Sequence, residues 1–213
     1  STVFSNDYVE FLNDLNVPFF KIASMDLNHH DLIEKVALKN KPTFLSTGLG
    51  TIEEIKEAIK IFQINKNSKL VIFHCVSLYP PNPEEINLNN IQFLNQELDV
   101  ITGFSDHSLG TDITLAAIAN GAAAIEKHFT LDKEMPGWDH AISADPKDLK
   151  VICDGSLKIN QSLGKEKRQL SEREEKNIVN FRRSIVAKKN LTKGQIIDKN
   201  LIDFKRPGDG IPP

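Results

Sequence analysis

The sequence predicts an α/β fold, a partial TIM (β/α)8 barrel, followed by the beginning of a small second domain. Two observations carry the barrel. Short β-branched or aromatic runs alternate with longer helical patterns up to Gly164, and polar residues gather at the C-terminal end of nearly every run. A third observation separates the second part: after Gly164 the helix-and-strand alternation stops and the composition becomes strongly charged.

The strand candidates are Phe19–Ala23, Thr43–Ser46, Leu70–Cys75, Val100–Phe104 and Ala123–His128, with Thr2–Phe4 as the tail of an earlier strand. Helical patterns fall between them at Asn6–Leu15, Asp31–Leu38, Thr51–Ile64, Leu88–Glu97 and Thr111–Asn120. Thr51 with Glu54 three residues on reads as a capping box, and Asp145-Pro146 opens a further helix that stops at Gly164. Such alternation gives parallel strands joined by crossover helices, either as an open doubly wound sheet or as part of a barrel. The polar ends decide between them: Lys21 and Ser24, Ser46 and Thr47, Ser77 and Tyr79, Ser105 and His107, Glu126 and His128. An open sheet concentrates such residues at one switch point, whereas a barrel builds its site from many strands.

The barrel part is expected over 1–164 and a linker over 165–182. The beginning of a second domain follows over 183–213, where Arg183–Lys188 is strand-like and Leu191–Gly194 and Asp198–Leu201 alternate polar and apolar positions. The chain opens on Ser1 without a methionine or a signal-peptide pattern. It is therefore expected to be a fragment that lacks the first barrel strands and the end of the second domain.

Composition narrows the class of function. Of 213 residues 40% are hydrophobic and 26% charged, ordinary globular usage. Lys and Arg number 26 against 29 Asp and Glu, a formal net charge of −3, which gives no general attraction to nucleic acid or an anionic membrane. The short basic run from Arg182 to Lys189 has no aromatic interleaving and reads as a solvated face. Apolar runs are strand-sized, so no membrane span is expected. Two cysteines, Cys75 and Cys153, are too few for a disulfide scaffold, and a cytoplasmic setting is expected.

Several residues have the chemistry of a site. His107 and His128 end consecutive strands, and neighbouring strands lie about 4.8 Å apart, close enough for two imidazoles to share a divalent ion. The alternative is a pair of rim histidines without metal. Lys21 follows an aromatic-rich strand, so its ammonium reaches into the barrel mouth. There it pairs with a phosphate or carboxylate or with a buried acid, the alternative being an ordinary rim ion pair; with Ser24, Ser77 and Ser105 it would make a phosphate pocket. Asp139-His140, in the loop after the last strand, is either a substrate contact or a turn. Ser46–Thr51 is glycine-rich but lacks the spacing of a nucleotide loop. His29-His30 is read as a helix start, and His74 and Cys75 as core residues pointing in opposite directions.

Certain strings are more specific: Phe20-Lys21-Ile22-Ala23-Ser24, Leu45-Ser46-Thr47-Gly48, His74-Cys75, Tyr79-Pro80, Gly103-Phe104-Ser105-Asp106-His107, Ile125-Glu126-Lys127-His128-Phe129-Thr130, Trp138-Asp139-His140 and Lys205-Arg206-Pro207-Gly208. In this order they closely resemble the sialic acid synthase family, the N-acetylneuraminate synthases with their legionaminate and pseudaminate relatives. The resemblance implies a TIM barrel followed by an antifreeze-like (SAF) domain, in a domain-swapped homodimer. It implies condensation of phosphoenolpyruvate with an N-acyl hexosamine, N-acetylmannosamine or a 2,4-diacetamido hexose, with a divalent metal, Mn or Mg, as cofactor. It assigns the metal to His107 and His128 and phosphoenolpyruvate to Lys21, Ser24 and Ser105, with Ser77 falling where an amide residue can take that role. Sugar contacts fall to Tyr79 and Asp139, the acyl group to Arg206, and Phe181 to the same pocket. Asp139-His140 favours the neuraminate and legionaminate branches. Two other readings compete: a Schiff-base aldolase with Lys21 as nucleophile, and an inactive carbohydrate-binding fragment.

Overall fold

Six strands form one parallel sheet in unbroken chain order: β1 (Thr2–Val3), β2 (Phe20–Ile22), β3 (Thr43–Ser46), β4 (Leu70–Cys75), β5 (Ile101–Asp106) and β6 (Ile125–Lys127). The structure is a computed structural model that describes all 213 residues. Between the strands run α1 (Asn6–Asp14), α2 (His30–Leu38), α3 (Ile52–Ile64), the short α4 (Pro83–Ile86), α5 (Asn90–Leu98) and α6 (Asp112–Ala119), and α7 (Pro146–Leu163) closes the unit. Strict chain order leaves no switch point, so the sheet is not doubly wound, and crossovers of one hand place the helices on a single face.

One ion pair shows how far the sheet curls. Lys21 on β2 and Glu126 on β6 are four strands apart, about 19 Å in a flat sheet at the usual spacing. Yet Lys21 Nζ lies 2.9 Å from Glu126 Oε1. The strands therefore arch around a common interior, as in a barrel.

The period-2 alternation of a strand then sorts the side chains. Phe20, Ile22, Leu45 and Ile72 point outward into a core shared with Val9, Leu32, Ile33, Val36, Ile55 and Phe62 of the helices. A second cluster joins Phe104 to Ile86, Ile91 and Ala117. The inner face keeps Lys21, Ser46, Phe73, Cys75, Ser105 and Glu126. Helix starts follow the expected local chemistry. Thr51 and Glu54 form a reciprocal capping box, Asp145 caps α7 with Pro146 in the first turn, and His29 Nδ1 accepts the Leu32 amide at the start of α2.

His74 is the one outward-facing polar group in the middle of β4, and its Nε2 bonds the Ile86 carbonyl at 2.7 Å. Burial holds its pKa below the ordinary 6.5, with the backbone carbonyls around it opposing the shift. Below that value the unfolded chain takes up a proton that the folded chain resists, so stability present above about pH 6.5 is lost as pH falls through the depressed value. Urea unfolding between pH 5 and 7 is expected to show this slope, and His74→Gln to reduce it. Part of the slope remains in the variant, because burial depresses His107 in the same sense. An unchanged slope in His74→Gln would refute the assignment.

The second unit spans Lys165–Pro213. It contains α8 (Glu172–Phe181) and an antiparallel pair, β7 (Ser184–Ala187) with β8 (Ile202–Lys205), in the register Ser184↔Lys205 and Ala187↔Ile202. The stretch read as a linker thus contains a helix. Its start is a Ser171–Glu174 capping box within a run dense enough in charge to mask the helical signal. The alternation at Leu191–Gly194 and Asp198–Leu201 is not strand either. Gln195 Oε1 accepts the Thr192 amide and Asp198 Oδ1 the Asn200 amide, so turn bonds hold both segments and the strand begins only at Ile202.

Candidate active site at the strand ends

The inner face ends in a cavity of 460 Å³ at the C-terminal side of the sheet, where barrels carry their sites. Lys21, Ser24, Ser77, Tyr79, Ser105, His107 and His128 all line it, contributed by the ends of β2, β4, β5 and β6. Lys21 is not on the rim. It is 8% exposed, with Nζ 2.5 Å from Ser46 Oγ, 2.9 Å from Glu126 Oε1 and 4.3 Å from the centroid of the Phe73 ring. Burial lowers its pKa and Glu126 partly restores it.

Glu126 accepts a second bond from Ser105 Oγ at 2.8 Å, its directly paired neighbour across the β5–β6 ladder. One carboxylate therefore gathers an ammonium and a hydroxyl toward a common point. Gly48 approaches from the loop after β3, its amide donating to Ser24 Oγ at 3.0 Å and to Cys75 Sγ at 3.2 Å. A Cβ there would lie 2.9 Å from Ser24 Oγ and closer still to Ser77 Oγ, so only glycine lets the three strand ends converge. With its amide occupied by these two acceptors, Gly48 itself supplies packing rather than a free anion donor.

His107 and His128 follow Asp106 and Lys127, the last paired residues of their strands, and stand opposite one another with ring centroids 5.4 Å apart. His107 Nδ1 lies 2.9 Å from the Val76 carbonyl, which can only accept, so Nδ1 carries the proton and Nε2 presents its lone pair. Burial depresses the His107 pKa, chiefly by desolvation, and this favours the neutral ring. A neutral imidazole fixed through one nitrogen is what a metal ion binds through the other. No group of three His, Cys, Asp or Glu gathers here, so a divalent ion between these two imidazoles would take its remaining ligands from oxygens outside the chain. Those donors fit a divalent ion. The Tyr79 ring packs 4.2 Å from that of His107, and its hydroxyl pKa is raised by burial. Asp139 Oδ2 lies 3.9 Å from His128 Nδ1.

Phe181 at the end of α8 and Arg206 after β8 belong to the second unit. The sequence marks Glu126 as a polar strand end but not as a site residue, and the core reading of Cys75 holds in that its side chain is buried. Cys75 also lines the cavity, and His74 faces outward, so the two point in opposite directions as expected. The signal for both was register: Ser105 pairs with Cys75 on one side and Glu126 on the other.

A family model described as the NeuB family matches residues 1–168. The chain belongs to the NeuB family. A second model, the SAF domain, matches residues 182–213, in agreement with the resemblance of the motifs to sialic acid synthases. An uncharacterized protein of Methanocaldococcus jannaschii is 46% identical over 211 residues, covering 99% of this chain and 63% of that protein. The N,N'-diacetyllegionaminic acid synthase of Campylobacter jejuni is 40% identical over 213 residues, covering 99% of this chain and 64% of the synthase. Among solved structures, the N-acetylneuraminic acid (sialic acid) synthetase of Leptospira borgpetersenii, crystallised with citrate, superimposes with a TM-score of 0.79 at 37% identity. That match covers 83% of this chain and 62% of the synthetase. The chain therefore spans less than two thirds of the length of these NeuB-family relatives.

Proposed function

We propose that this chain carries the strand-end half of a synthase site that joins phosphoenolpyruvate to the open-chain aldehyde of an N-acyl hexosamine. The product is a nine-carbon 2-keto sugar acid. In the balanced reaction the methylene carbon of phosphoenolpyruvate bonds to the aldehyde carbon. Water adds to the enol carbon and its oxygen becomes the keto oxygen, and the bond from that carbon to the bridging oxygen breaks to release phosphate. One proton of the consumed water goes to the new hydroxyl and the other to phosphate. The observation that supports this best is the convergence of an ammonium, four serine hydroxyls and two imidazoles on one cavity.

In this reading Lys21, Ser24, Ser77 and Ser105 hold the phosphate and carboxylate by charge and hydrogen bonding, so positioning and charge neutralisation supply most of the rate. His107 and His128 hold a divalent ion, Mn or Mg, which when bound polarises the sugar aldehyde as a Lewis acid. Tyr79 and Asp139 orient the sugar. Glu126, already holding Lys21 and Ser105, is the carboxylate placed to take the proton from water. The roles of Phe181 and Arg206 and the homodimer implied by the resemblance belong to the same proposal. N-acetylmannosamine and a 2,4-diacetamido hexose are its two candidate sugars, the second in keeping with the relative named a legionaminic acid synthase.

The test is binding, followed by ³¹P NMR. Phosphoenolpyruvate is expected to bind the chain, and Mn²⁺ to broaden its resonance; His107→Ala and His128→Ala should each abolish the broadening in a folded protein. Broadening that survives both substitutions overturns the reading. The aldolase reading uses the same Lys21, whose lowered pKa suits a Schiff base. Covalent labelling of Lys21 by pyruvate and borohydride would favour it instead.

A further inference from the structure

On the outer face of the same two strands Asp106 and Lys127 form an ion pair at 2.9 Å, their side chains 1% and 6% exposed. The alternation that turns Ser105 and His107 inward on β5, and Glu126 and His128 inward on β6, turns these two away from the cavity. They occupy the last paired position of the β5–β6 ladder, so both histidines stand beyond it with no backbone pairing between them. Side-chain bonds continue where the ladder stops. Asp106 Oδ1 accepts the Ser108 amide at 2.8 Å, and Oδ2 accepts from Thr114 Oγ1 of α6 at 2.5 Å. Lys127 Nζ donates to the Ser108 carbonyl at 2.7 Å. Residues on both sides of His107 are thereby tied to the residue that precedes His128.

We propose that the buried Asp106–Lys127 pair is a positioning device that fixes the separation of the His107 and His128 imidazoles from the opposite face of the sheet. The inference rests on the reading of those histidines as metal ligands. The pair suits the task in three ways. It is neutral as a unit, so it places no net charge beside the site. The carboxylate accepts three hydrogen bonds, so it has one arrangement rather than several. It joins β5, β6 and α6, so the histidine ends cannot shift relative to one another without breaking it. Partners one layer behind a metal site typically change metal affinity 10- to 100-fold when removed.

The experiment measures Mn²⁺ affinity of the 213-residue chain by electron paramagnetic resonance, with ¹⁵N-histidine spectra recorded without metal. The double variant Asp106→Asn with Lys127→Met keeps side-chain volume and removes both charges together, which avoids stranding one of them in the interior. It is expected to melt close to the unsubstituted chain, to bind Mn²⁺ about 10- to 100-fold more weakly, and to shift the metal-free His107 and His128 ring signals. A purely structural pair would move the melting temperature and leave the affinity of the folded protein alone. Affinity within about threefold of the original therefore overturns the inference. If the double variant does not fold, Thr114→Val decides: it removes one bond to Asp106 and keeps the pair. Weaker Mn²⁺ binding then supports the inference and unchanged binding overturns it. Failure of the unsubstituted chain to bind Mn²⁺ through His107 and His128 is a separate outcome, which removes the site reading itself and this inference with it.

Discussion

Lys21→Met is expected to weaken phosphoenolpyruvate binding by roughly 10- to 150-fold while leaving the chain folded. The only lysines lining the cavity are Lys21 and Lys127, and the Lys127 ammonium is turned outward to Asp106. Lys21 is thus the ammonium that an anion entering the cavity can meet. A hydrogen bond to a charged group contributes about 1.5–3 kcal/mol, which sets that range. Methionine keeps most of the side-chain volume and removes the ammonium, with its place over Phe73 and its bonds to Ser46 and Glu126. Glu126 then loses one partner but keeps Ser105, and its side chain is 41% exposed, so water can satisfy the rest. Glu126→Gln is the informative contrast. It takes a negative charge away from the incoming anion, so binding is expected to hold or tighten. It also removes the group that raises the Lys21 pKa, so that pKa falls further. Titration of the ³¹P signal in both variants measures this. A Lys21→Met affinity within about threefold of the original would show that Lys21 is not the anion anchor.

The sequence makes some of this legible and hides the rest for identifiable reasons. Strands β3 and β4 fall at the predicted residues because a β-branched or aromatic run bounded by turn residues has few alternatives. The last strand shortens to Ile125–Lys127 because periodicity cannot say where pairing with β5 ends. That Lys21 reaches inward follows from its place at a strand end, but which acid it meets does not, because curvature, which composition does not encode, brings it within reach of Glu126 four strands away. The importance of Glu126 is hidden for the same reason, since its two partners lie 21 and 105 residues distant. The polar strand ends are the stronger guide: they put Lys21, Ser24, Ser77, Tyr79, Ser105, His107 and His128 at one end of the sheet, and all seven line the cavity.

Gly103→Ala is expected to cost about 1–3 kcal/mol, the usual range for forcing an extra carbon into a filled interior, and to weaken phosphoenolpyruvate binding as well. Gly103 sits in the middle of β5, paired with Phe73 of β4. A Cβ at this position would lie 2.5 Å from Phe73 Cε1 and 2.6 Å from the Ala124 carbonyl oxygen. The backbone oxygen has little freedom, because it accepts the Phe104 amide at 2.9 Å and so helps hold β5 to the segment entering β6. The Phe73 ring is the part that can give way. It stacks on Phe44 with centroids 5.5 Å apart and lies beneath the Lys21 ammonium. Displacing it carries a packing defect directly to the cation that holds the anion. A melting temperature lowered by several degrees, at roughly 2–4 °C per kcal/mol for a chain of this size, should therefore accompany weaker binding in the fraction that remains folded. Loss of stability with unchanged affinity would show that Phe73 relaxes without moving Lys21, and that the inner aromatic layer supports the sheet but not the site.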